Sequence, residues 1–158
     1  MNKVRLIEMS DNDEKNALVE VGCAFWFNDN EQVRSPFPKE IQPEVKRRAQ
    51  TEYLLWLDNL TDEDKVEVND DEMVNVFEGF LFAEGLKLVG GNDPDLALTL
   101  HFPFMPRVGD LVNHETRGES RVVERRVEAK EDNQAFMVVV LQTVKSQETW
   151  QTEFMLPT

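Results

Sequence analysis

The segment Gly90-Gly91-Asn92-Asp93-Pro94 separates two kinds of apolar pattern. Paired glycines and a proline interrupt both helix and strand, so the backbone on either side must be organised separately. From Pro43 to Glu84, apolar residues recur at spacings of three and four. Beyond the break, Leu96, Leu98, Leu100 and Phe102 alternate with Ala97, Thr99 and His101. A change of period from 3.6 to 2 predicts an α+β chain. The expected architecture is an N-terminal hairpin and two helices packed on a C-terminal antiparallel five-stranded sheet or small barrel. The chain of 158 residues has the size of a single compact domain spanning 1–158, with 1–90 (hairpin and helices) and 95–158 (all β) as candidate subdomains.

Residues 3–9 and 17–27 read as two strands joined by the polar turn formers of 10–16. Cys23-Ala24-Phe25-Trp26-Phe27 is apolar at every position, as in a strand covered on both faces. A loop with Pro36 and Pro38 follows. The first helix is predicted from Pro43 to Leu60, with Val45, Ala49, Tyr53, Trp56, Leu57 and Leu60 on one face and proline in its first turn. The second is predicted from Asp70 to Glu84, with Asn69 as N-cap, Glu72 three residues on, and Gly85 as C-cap. Gly79, inside that helix, implies a close backbone contact there. The remaining strands are expected at 96–102, 111–112, 119–130, 135–144 and 150–156.

Charge is distributed unevenly. Residues 51–100 hold thirteen acids and two bases, against a net charge of −14 for the whole chain. Eight of those acids fall between Asp58 and Glu72, with Lys65 as the one base among them. Such a block repels nucleic acid and lipid headgroups and attracts basic proteins. Asp70, Asp71 and Glu72 open a predicted helix, and Thr61 before Asp62, Glu63 and Asp64 repeats the pattern, so six of the eight also serve as helix-start charges.

A calcium loop beginning at Asp62 fails. Val66 takes the fifth place, Glu67 the sixth where glycine is required, and Met73 the twelfth where glutamate is required. His101 and His114 stand at no metal-ligand spacing. The Gly90-Gly91 pair lacks the lysine and hydroxyl residue of a phosphate loop. Cys23, flanked by apolar residues, reads as a buried small hydrophobe. It is the one cysteine in the chain, so it has no internal disulfide partner. No catalytic residue, metal or cofactor is assigned. With no apolar run of roughly 20 residues and no signal-like start, the expectation is a cytoplasmic protein with no membrane association.

Three surfaces remain. Asp58, Asp62, Glu63, Asp64 and Glu67 form an acidic surface for a basic partner. Val74 and Phe82 lie off the core stripe of the second helix and mark an apolar surface for a partner or for self-association. Arg121, Arg125 and Arg126 offer a nucleic-acid surface, disfavoured because Arg121 and Arg125 share a strand parity that Arg126 does not, and because glutamates interleave with them. The leading expectation is a non-enzymatic acidic protein that binds another protein, as a neutraliser of a basic partner. The alternatives are a small-barrel nucleic-acid-binding protein and a hydrolase with a carboxylate site.

Overall fold

In the computed structural model, which describes residues 12–157, the expected second strand is a helix, α1 (Asn12–Phe27). The strand expected over residues 3–9 lies outside the described residues. Val19, Cys23 and Trp26, spaced four and three apart, are the buried stripe of α1. The polar loop after it decides the conformation. Any helix leaves its last four carbonyls without intrahelical partners. Here Ala24, Phe25, Trp26 and Phe27 accept hydrogen bonds from Asn28 Nδ2 (2.9 Å), Asn30 Nδ2 (2.8 Å), Ser35 Oγ (2.6 Å) and Gln42 Nε2 (3.1 Å).

The chain divides into two compact units, one ending at Pro103 and one beginning at Phe104. In the helical unit, α2 (Gln42–Asp58) buries Val45, Ala49, Tyr53 and Leu57, with Pro43 in its first turn. The short α3 (Asp62–Glu67) starts on a full capping box between Thr61 and Asp64. In α4 (Asp70–Val89), Asn69 Oδ1 accepts from the Glu72 amide at 2.8 Å. This helix runs past the expected stop. Gly85 is not its C-cap but a buried interior residue, where a Cβ would lie 2.8 Å from Phe37 Cε1. Gly90, at φ 57°, ends the helix, in a conformation that glycine adopts without strain.

The expected close contact at Gly79 is also absent, because a Cβ there would meet nothing within 4 Å. Gly79→Ala should therefore raise stability by about 0.5–1 kcal/mol through helix propensity alone. Urea denaturation measures this, and a loss of stability would show that the position is crowded.

The first of the five expected C-terminal strands is a helix as well. In α5 (Pro94–His101), Asp93 accepts from the Leu96 amide at 3.0 Å and Pro94 occupies the first turn. Thr99 and Leu100 are buried, with Leu96 and Ala97 partly so, a helical spacing that alternating leucines conceal. His101 consequently sits at a helix end rather than on a strand face.

The second unit is a four-stranded antiparallel sheet, curled into a half-barrel, in the order β1 (Leu111–His114), β2 (Gly118–Ala129), β3 (Ala135–Thr143), β4 (Thr149–Met155). A β-bulge between Val122 and Glu124 shifts the register: Val122 opposes Leu141, yet Arg125 opposes Val139 and Arg126 opposes Val138. One extra residue inverts the alternation of side chains downstream of it. The expected arginine parity is thereby overturned. Arg121 and Arg126 share one face, and Arg125 joins Val122 on the other, where both are buried.

Candidate functional site

Helices α1 and α4 approach closely at one point. A Cβ on Gly22 would sit 2.8 Å from Phe77 Cε2 and 2.9 Å from Cδ2, so the absence of a side chain at residue 22 lets the two helices pack. Between the helices runs a groove of about 490 Å³. Its α1 wall is Ala17, Leu18, Val21, Gly22, Phe25 and Trp26; its α4 wall is Asp70, Val74, Phe77 and Glu78. Phe77 is fully buried beneath it, whereas Val21 is 70% exposed. Apolar side chains held in water at that exposure, beside others partly sheltered, form a surface that gains by being covered.

Two polar groups border the groove, and they differ. Glu78 Oε2 accepts from Trp26 Nε1 at 2.9 Å, which ties the two walls together. Asp70 Oδ1 is buried and has no hydrogen-bond partner, as is the hydroxyl of Tyr53. Burial, with the charge of Asp70 added, pushes the Tyr53 hydroxyl well above the usual phenol range, so it stays protonated and remains a donor. Cys23, on the buried face of α1, has its thiol pushed up to about 11, chiefly by burial. At neutral pH it is a packing group, not a nucleophile.

Comparison with family models, with curated proteins and with solved structures finds no match. The functional reading therefore rests on the geometry.

Of the two expected apolar surface residues, Val74 lines the groove. Phe82 does not; it is held edge-on to Trp26 at 4.8 Å and against Phe37 at 5.0 Å, part of an aromatic cluster that fixes the end of α1. The acidic set is exposed throughout. Asp58 is the last residue of α2; Asp62, Glu63 and Asp64 form the first turn of α3, and Glu67 its last residue. None of the five lines the groove. Among the described residues no group of three or more His, Cys, Asp or Glu is placed to hold a metal, and no helix is long and apolar enough to cross a membrane.

The arginines are engaged within the sheet unit. Arg121 donates to the Gly109 carbonyl at 3.2 Å, Arg125 to the Pro106 carbonyl at 2.9 Å, and Arg126 pairs with Glu128 of its own strand at 2.7 Å. His114 accepts the Thr116 and Arg117 amides at Nδ1 and packs against Trp150, a turn-stabilising role.

Sequence reasoning missed the α1 wall because it read those residues as a strand. The signal was present: Ala17, Val21 and Phe25, and beside them Leu18, Gly22 and Trp26, recur at spacings of four.

Proposed function

We propose that this protein is a non-enzymatic binding protein that holds an apolar segment of a basic partner protein in the groove between α1 and α4. The observation that carries this reading is the groove itself, an apolar cleft of about 490 Å³ bordered by Asp70 and Glu78. The acidic field of residues 51–100 supports it by favouring encounter with a basic partner at low salt. Its acids at helix starts also stabilise α3 and α4, so the field and the fold are served by the same residues.

The alternatives draw less support. The arginine surface is divided by the bulge, and its members are bonded to carbonyls or to glutamate. A paired-carboxylate glycoside hydrolase places its acids about 5–9.5 Å apart, and an aspartic-protease pair sits closer still. Asp70 and Glu78 are eight residues apart on one helix, roughly 12 Å along its axis, and Glu78 is bonded to Trp26.

Val21→Glu tests the reading. The residue is exposed, so a charge there leaves the core intact while spoiling an apolar contact. Partner proteins cross-linked to the wild type from native lysate should be lost from this variant at unchanged thermal stability. Recovery of the same partners in the same yield would remove the groove from consideration.

A further inference from the structure

We infer that the groove takes an amphipathic helix whose apolar ridge lies between α1 and α4, with one Lys or Arg of that helix bonded to Asp70 and a second, about two turns along, at Glu78. This rests on the protein-binding reading above and supplies the chemistry of the partner. Groove walls with Val21 and Phe25 four residues apart on one helix, and Asp70, Val74 and Glu78 four apart on the other, match the repeat by which a third helix presents its own side chains. Asp70 and Glu78 stand roughly 12 Å apart along α4, the distance between side chains eight positions apart on a docked helix.

The orphaned oxygen selects the anchor. A buried acceptor left without a donor is costly, and a charged donor restores more than a neutral one. Asp70 lines the groove and its Oδ1 is such an acceptor; because that oxygen is itself occluded, it meets an incoming cation only when the carboxylate rotates outward. The acids at 58–67 are exposed and make no comparable demand.

Charge also selects the occupant. A second copy of the chain would bring Asp70 and Glu78 against an equally acidic helical unit. Of that unit's cations, Lys46, Arg47, Arg48 and Lys87 are already paired with Glu20, Glu44 and Glu84. Polyphosphates and anionic bilayers meet the same repulsion. A basic helix meets none.

The test uses the full chain and three synthetic helical peptides of about 18 residues, long enough for five turns. The first carries a leucine stripe flanked by lysines eight apart, the second replaces those lysines with glutamate, and the third keeps the first composition with the stripe scrambled. Isothermal titration at physiological salt should show binding of the first peptide alone, and the indole N–H resonance of Trp26 should shift with it. Asp70→Asn, which preserves shape, should weaken binding about tenfold or more, the loss expected of one charge-assisted hydrogen bond. Neutralising the block as D62N/E63Q/D64N/E67Q should cost less than about threefold, as expected for exposed and screened charges.

Full affinity in Asp70→Asn, with affinity abolished in Val21→Glu, would overturn the anchor and leave the groove reading standing. Full affinity in Val21→Glu would overturn both. Equal binding of the scrambled peptide, or loss of all binding in the block variant, would overturn the helix and its anchor in favour of a diffuse acidic field. Should Asp70→Asn prove less folded by circular dichroism, Asp70→Glu keeps the test alive: it retains the charge and moves the oxygen, so undiminished affinity there would equally overturn the anchor geometry.

Discussion

Phe77→Ala is expected to lower the free energy of unfolding by about 3–5 kcal/mol, the range for removing a buried phenylalanine ring. The side chain is fully buried, meets Tyr53 edge-on at 5.5 Å, and fills the space that Gly22 leaves open. Two losses add: the ring's transfer from water, and the void left where α1 cannot settle onto α4. Urea unfolding should show a lower midpoint at an unchanged slope, since the surface exposed on unfolding hardly alters. A loss below about 1 kcal/mol would mean that α1 moves freely enough to close the void, and that the groove is a soft feature. The same variant should alter the groove, because Phe77 lines it.

Arg125→Met should destabilise the sheet unit by about 1.5–3 kcal/mol, the range for a hydrogen bond to a charged group. Methionine keeps most of the apolar stem but leaves the Pro106 carbonyl without the donor now 2.9 Å away. The neighbouring Arg126→Met, on the opposite face and ion-paired with Glu128 in solvent, should cost clearly less than Arg125→Met. Hydrogen exchange at the β2 and β3 amides measures both. Equal effects would show that the bulge does not separate the two arginines in energy.

That ordering depends on a residue count, which marks where the sequence stops being legible. The helices α2 and α4 could be read because each is long, strongly periodic and opened by a proline or an asparagine cap. Helix α1 could not: its run of apolar residues is compatible with a strand, and the partners of its last carbonyls are spread from Asn28 to Gln42. Helix α5 was concealed by leucines at every second position, although Asp93-Pro94 is a cap followed by a first-turn proline. The bulge at Val123 has no glycine to announce it, and a single unpaired residue there reverses which arginine is buried. Of the candidate site, Val74 was legible as a surplus apolar residue of α4. Its counterpart wall was not, because the groove exists only once α1 is a helix.

The four side-chain donors at the end of α1 give that wall an unusual dependence. Asn28, Asn30 and Ser35 belong to a loop, and Gln42 to the start of the next helix, and none of the four lines the groove. Each holds a different carbonyl of the turn that carries Phe25 and Trp26. The shape of the binding surface is thus specified at a distance, by polar residues whose identities a comparison of the contact surface alone would treat as free to vary.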